Sequence, residues 1–223
     1  MKKIFCLLVI IISSFSLWAQ IKVACIGNSI TFGHGLKREE TYPAQLQLIL
    51  GEGWSVGNFG VSGRTLLSKG DFPYIKEKAF ADAKVFAPAV AIVKLGTNDA
   101  KPQNWKFKDE FIQDYTNLIK ELEALPSHPL IIICKPVPAF GTNFRINDTI
   151  VNNEITKLVR TVSKRNKVML VDLQRPFKDH AEWFADKIHP DARGAKELAV
   201  ILSGKLLKKK KKILKRKKRF VVR

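Results

Sequence analysis

Cysteine is scarce in this chain: 223 residues contain three. Cys6 falls in an N-terminal leader, while Cys25 and Cys134 sit in apolar strand-like runs, where a free thiol behaves as a small buried hydrophobe. With one strand between theirs, the two lie roughly 9–10 Å apart at about 4.8 Å per strand. A disulfide tolerates no more than about 7 Å between Cα atoms, so none is expected. Histidine is equally sparse, with four residues and no ligand spacing among them, and neither a metal nor another cofactor is expected. Internal repeats and Pro/Gly/Ser linkers are missing as well, which leaves one globular domain of ordinary size. No long apolar lid segment is present.

Long apolar runs are limited to one, Ile4 to Ile12, which is well short of the about 20 residues that span a bilayer. Lys2 and Lys3 precede it and the more polar Ser13 to Ala19 follows. That order is a secretory signal peptide over residues 1–19, although Leu17 is bulkier than the usual residue before such a cleavage site. An uncleaved anchor is the alternative. The expected location is the periplasm or the medium.

Acid is short too: 39 Lys and Arg face 20 Asp and Glu, a net charge of +19. The excess is not spread evenly. From Lys205 to Arg223 there are 12 cations and no acid, and Lys2 and Lys3 lie in the leader, which leaves +5 for everything between. A nucleic-acid partner is therefore not expected of the folded part. Residues 208–223 form a basic tail that reads as a solvated, disordered extension, because like charges at this density repel a compact form. A tether to anionic surfaces is the sharper alternative, at roughly 1 kcal/mol per cation.

Between leader and tail, buried strands alternate with helices. Ile21–Ile26, Trp54–Phe59, Ala89–Leu95, Leu130–Cys134 and Val168–Leu173 read as strands. Tyr42–Leu50, Tyr74–Lys84, the Phe107–Leu122 repeat, Ile150–Val162 and about Asp191–Leu207 read as helices. Asn147-Asp148-Thr149 is placed to cap the fourth of these, an N-glycosylation sequon being the alternative. The alternation specifies an α/β fold with a parallel sheet and right-handed crossovers.

Four polar positions then fall at strand carboxyl ends: Ser29 after the first strand, Gly60 after the second, Asn98 after the third and His189 after the fifth. In a parallel sheet these ends share one edge, where ligands of α/β proteins bind. Asp186 precedes His189 by three residues, within reach of the imidazole. A serine hydroxyl becomes a nucleophile when an adjacent histidine takes its proton. A carboxylate on the other ring nitrogen fixes the tautomer. The N–H groups of Ser29 and Gly60 and the Asn98 amide supply donors for an oxyanion, each typically worth about 3–4 kcal/mol in the transition state. Ser29 as a mere helix cap is the bland alternative. Asp99 reads as structural, and His34, His128 and His180 as ordinary surface or loop residues.

Gly27-Asn28-Ser29-Ile30-Thr31, the Gly60 block, Gly96-Thr97-Asn98-Asp99 and Asp186-Lys187-Ile188-His189-Pro190 resemble, in order, the blocks of the SGNH (GDSL-type) hydrolase family. The resemblance spans about Ile21 to Leu207, with Asn28 where the GDSL name has aspartate. It implies a flavodoxin-like three-layer sandwich whose five-stranded parallel sheet has the order 2-1-3-4-5. It also implies a Ser29–His189–Asp186 esterase with an oxyanion hole from Ser29, Gly60 and Asn98. The stretches Asn58–Leu67, Lys69–Tyr74 and Lys101–Trp105 resemble bacterial sialate O-acetylesterases and related carbohydrate acetylesterases. The implied substrate is an O-acetylated sugar, first of all sialic acid, with Arg64 pairing a sugar carboxylate and Trp105 lying against a sugar face. A lysophospholipase or thioesterase is the alternative within the family. A non-catalytic glycan- or surface-binding module is the alternative outside it.

Overall fold

The computed structural model describes residues 20–221, with side chains to residue 216; the expected signal peptide and Cys6 lie outside the described residues. In chain order the elements are β1 (Ile21–Gly27), α1 (Ser29–Phe32), α2 (Tyr42–Leu50), β2 (Trp54–Gly60), α3 (Lys78–Val85), β3 (Val90–Lys94) and α4 (Pro102–Trp105). They continue as α5 (Phe111–Glu123), β4 (Leu130–Cys134), α6 (Thr156–Asn166), β5 (Met169–Val171), α7 (Gln174–Phe177) and α8 (Ala192–Val221). A π-helical turn, Ile150–Ile155, leads into α6, and the Asn147 side chain accepts the Ile150 N–H at its start.

All five strands are parallel, in the order β2-β1-β3-β4-β5. Side chains alternate across the sheet, so successive residues feed opposite layers. Ala24, Ile26, Ala91, Val93, Ile131 and Ile133 join one apolar cluster, together with residues of α3, α5 and α6. Val23, Cys25, Val90, Ile92, Leu130, Ile132 and Cys134 join the other, with α2 and α8. Because both faces are covered, β3 and β4 are apolar almost throughout rather than alternating. In α5, Phe111, Tyr115, Leu118, Ile119 and Leu122 are buried at helical spacing, each such side chain contributing about 1.5–3 kcal/mol.

Cys25 and Cys134 are buried free thiols separated by β3. Burial pushes both thiols up to about 12, which keeps them protonated and inert.

The basic tail departs from the reading as a disordered extension. α8 runs without a break from Ala192 to Val221. Leu202, Leu206 and Ile213 form one stripe on it, each no more than 1% exposed, inside the cluster shared with α2. Repulsion between lysines one turn apart costs a few tenths of a kcal/mol per pair. Burying Ile213 returns about 2 kcal/mol, and the lysine heads project away from that stripe into solvent. Packing wins over charge.

Candidate active site

β1 ends at Gly27, and Asn28 turns the chain into α1 by accepting the Ile30 N–H at 3.3 Å. Ser29 thereby becomes the first residue of a helix at the sheet's carboxyl edge, only 7% exposed. The helix stops one turn later at Gly33, whose φ of 96° suits glycine. The Gly33 and His34 N–H groups both donate to the Ser29 carbonyl.

His189 arrives from the long connection after β5. The Asp186 Oδ1 accepts the N–H groups of Ile188 (2.9 Å) and His189 (2.7 Å). Lys187 at φ 69° makes the tight turn, and Ile188 is buried beneath it. This Asp-x-x-His segment therefore organises itself: the backbone bonds that shape the turn also fix the carboxylate. Asp186 Oδ2 lies 2.6 Å from His189 Nδ1, and His189 Nε2 lies 2.8 Å from Ser29 Oγ. A carboxylate on Nδ1 requires the proton there, which leaves Nε2 bare and facing the serine hydroxyl.

Burial pushes the His189 imidazole below its ordinary value of 6.5; Asp186 pulls it back up without cancelling, and His34 and Lys94 add to the lowering. At neutral pH the ring is a neutral base. Burial would raise Asp186, but the His189 and Ile188 N–H groups and the imidazole hold its carboxyl below the usual range.

Gly60 closes β2 opposite Gly27. A Cβ there would stand 2.1 Å from the Phe32 nitrogen, so only glycine lets α1 sit against the end of β2. Asn98 lies in the short turn Thr97–Ala100. Both groups are already engaged: the Gly60 N–H donates to Asn58 Oδ1 at 2.9 Å, and Asn98 Nδ2 donates to the Arg64 carbonyl at 3.1 Å. The Asn98 amide keeps a second hydrogen, whereas an oxyanion would compete with Asn58 for Gly60. Asp99 accepts the Leu66 and Leu67 N–H groups and so holds the segment carrying Arg64 against the third strand end.

Arg64 and Trp105 are both engaged by other parts of the chain. The Arg64 guanidinium bonds Glu77 Oε1 and the Ser62 carbonyl, both at 2.8 Å, and lies over the Phe72 ring. Trp105 is 8% exposed and packs edge-on against Phe111 within the core. Its position next to α5 turns an aromatic that reads as a loop platform into a wall between helix and sheet.

Two residues at the mouth carried no signal of that kind. His34 lies across the His189 ring, with centroids 4.4 Å apart, which corrects its reading as an ordinary loop residue. Phe144 is 48% exposed and meets His189 edge-on at 5.5 Å. Phe144 and Arg145 both take positive φ, 51° and 62°, an arrangement uncommon for such side chains. Asn143 holds the loop: its Nδ2 donates to the Asp186 carbonyl and its Oδ1 accepts the Phe144 N–H, both at 2.8 Å. His34, Asp186 and His189 also bring possible metal-ligand atoms within 4.8 Å of one another. Seating a cation among them would cost His189 one of its two hydrogen bonds.

The chain is 44% identical over 203 residues to an acetylxylan esterase of Xylanibacter ruminicola; the match covers 82% of this chain and 42% of that protein. Among solved structures, a carbohydrate acetylesterase from Sinorhizobium meliloti superposes with a TM-score of 0.67 at 17% identity, over 84% of this chain and 98% of that one. The M. smegmatis aryl esterase gives 0.65 at 17% identity, over 84% and 98%. These two share the fold. Residues 25–197, from β1 into α8 and so across every strand end described above, match the signature of one family: the chain belongs to the GDSL-like lipase/acylhydrolase family.

Proposed function

We propose that the protein is an exported serine esterase that removes O-acetyl groups from a carbohydrate. The observation that carries this reading is the continuous chain Ser29 Oγ–His189 Nε2–Asp186, at 2.8 and 2.6 Å. In the first step His189 Nε2 takes the hydroxyl proton while Ser29 Oγ bonds to the acetyl carbonyl carbon. The negative charge goes to the carbonyl oxygen, facing the Ser29 N–H, the second Asn98 amide hydrogen and the Gly60 N–H, which exchanges Asn58 for the oxyanion. Collapse breaks the bond to the sugar oxygen, and His189 returns its proton to that oxygen. Water, deprotonated by the same nitrogen, then attacks acetyl-Ser29; the bond from the acetyl carbon to Oγ breaks, His189 returns the proton to Ser29 Oγ, and acetate leaves.

The sugar side of the reading is supported by the mouth rather than by Arg64 or Trp105. Phe144 offers an exposed ring beside His189, fixed by Asn143, against which the apolar face of a sugar can lie. The sialate variant relied on Arg64 for the sugar carboxylate, and that guanidinium is bonded to Glu77. A neutral acetylated sugar such as xylan fits better, in keeping with the name of the Xylanibacter relative. Export is supported by Lys2 and Lys3 followed by the apolar run Ile4 to Ile12.

The test is acetate release from acetylated xylan and from O-acetylated sialic acid, beside a nitrophenyl acetate-to-octanoate series. Fast release from the xylan with slow octanoate cleavage is expected, and Ser29→Ala should abolish all of it without changing the thermal midpoint. Retained activity in Ser29→Ala would refute the mechanism. Preference for octanoate would favour a lysophospholipase or thioesterase instead.

A further inference from the structure

The opposite edge of the sheet carries a second concavity that the esterase mechanism does not use. It is a cleft of about 500 Å³ at the start of β4 and β5, floored by Pro129, Leu130 and Met169. Thirty residues of helix extend about 45 Å, whereas the longest strands, at seven residues, cover about 23 Å. α8 leaves the active-site edge after His189 and therefore overruns the sheet at its far end. Its last described turns form one wall.

That wall is positive by construction. Lys209, Lys212 and Arg216 line the cleft at i, i+3 and i+7, one face of a helix, and the buried Ile213 pins that part of α8 in place. From the other side come Lys167 and His128, at the turns that follow α6 and α5. Both have positive φ, 53° and 42°, where glycine or asparagine is the cheaper choice. Strained non-glycine residues of this kind concentrate where a side chain is needed at that position. Glu123 is the only acid of the lining among the described residues. Lys167, Lys209, Lys212 and Arg216 form no ion pair among the described residues.

We propose that this cleft binds a carboxylated sugar unit of an acidic polysaccharide, holding the enzyme on its polymer from the edge opposite the active site. The size suits one or two sugar rings. The lining pairs cations for a carboxylate with Pro129, Leu130 and Met169 for the apolar face of a ring. Among the described residues no Phe, Tyr or Trp lines the cleft for stacking nucleic-acid bases. Among the described residues, none of the exposed large hydrophobics borders it, as insertion into a lipid surface would require. The choice of a sugar polymer rests on the carbohydrate reading of the active site; the anionic preference does not.

The test uses the full chain carrying Ser29→Ala, titrated calorimetrically with a xylo-oligosaccharide bearing glucuronic acid and with the unsubstituted oligosaccharide of equal length. Binding at the active site is common to both ligands and cancels. The acidic ligand should bind about tenfold tighter or more at low salt, and the preference should shrink at 0.3 M salt. Lys209→Glu with Lys212→Glu should abolish the preference, as should Lys167→Glu alone, which leaves α8 untouched. In the otherwise native chain these changes should leave nitrophenyl acetate turnover unaltered. Equal affinity for the two oligosaccharides, or a preference that survives both variants, would overturn the proposal. So would cleft-dependent binding of inorganic phosphate, single-stranded DNA or phosphatidylserine vesicles at the same affinity. Loss of esterase activity in the native chain would instead count against the active-site reading alone.

Discussion

Replacing Lys94 with methionine should make the protein more stable. Lys94 ends β3 in register with Gly27, is 1% exposed, and its Nζ has no hydrogen-bond partner. Asn28 Nδ2 and Thr97 Oγ1, also buried near the same strand ends, are likewise unpartnered. Burial pushes the Lys94 amine from 10.5 down to about 7, with Cys134 opposing weakly. Between those values the unfolded chain holds a proton that the folded one gives up. Stability therefore falls as pH falls from 10.5 to 7, by about 1.4 kcal/mol per pH unit. By pH 7 the accumulated cost is about 4 kcal/mol. Methionine occupies the same unbranched volume with no group to desolvate. Urea unfolding of the two proteins should show a gap of about 4 kcal/mol at pH 7 that narrows to about 1 kcal/mol at pH 10. A variant no more stable than the parent, or a gap that does not change with pH, would refute the desolvation argument and point to an unrecognised partner for the amine.

The remaining predictions concern the site. The kcat/KM for nitrophenyl acetate should rise along one acid limb whose midpoint lies below 6.5, because burial lowers the His189 imidazole; a midpoint above 7 would contradict it. The same depression makes the fold favour the neutral ring, so the associated stability is present above the ordinary pKa and lost as pH falls through it. Asp186→Asn would put an amide N–H against Nδ1, favour the wrong tautomer, and lower kcat on the order of 10³–10⁴-fold with the Ser29 geometry retained in a structure of the variant. Phe144→Ala should raise KM for acetylated xylo-oligosaccharides about fivefold to tenfold, the equivalent of about 1–1.5 kcal/mol, while nitrophenyl acetate kinetics stay within twofold.

The legible part of this protein was the part written in consecutive residues. Leu130–Cys134 and Tyr42–Leu50 are recognisable from a short apolar run and from a helical stretch with Pro43 in its first turn, and each occupies the same span in the structure. The contact of Ser29 with His189 follows almost as directly, since Ser29 comes straight after β1 and Asp186 shapes the turn that carries His189. Arg64 and Trp105 show where this stops. An arginine beside the Gly60 block looks available until Glu77, thirteen residues on, is seen to reach its Nε, and Trp105 looks like a platform until α5 folds Phe111 against it. His34 and Phe144 fail in the opposite direction. Each lies in an unremarkable loop, and they meet over His189 only because Gly33 reverses one chain and Asn143 ties the other to Asp186.

The end of α8 carries a different lesson. Twelve cations without an acid argue for a repelled, solvated extension only if charge is the largest force acting on the segment. The stripe Leu202, Leu206 and Ile213 was present in the sequence, and its burial outweighs the repulsion between neighbouring lysines. Once the helix is continuous, the same spacing that aims Ile213 at the core aims Lys209, Lys212 and Arg216 together into the cleft beside Lys167. The apolar stripe thus gives the basic run its geometry, converting a net charge into a directed one. A proline in place of Lys208 separates the two descriptions. It would break the helix at a cost of about 3 kcal/mol or more and should abolish preferential binding of the acidic oligosaccharide while leaving Lys167, Lys209, Lys212 and Arg216 all present, whereas a tail acting by charge alone would bind nearly as before.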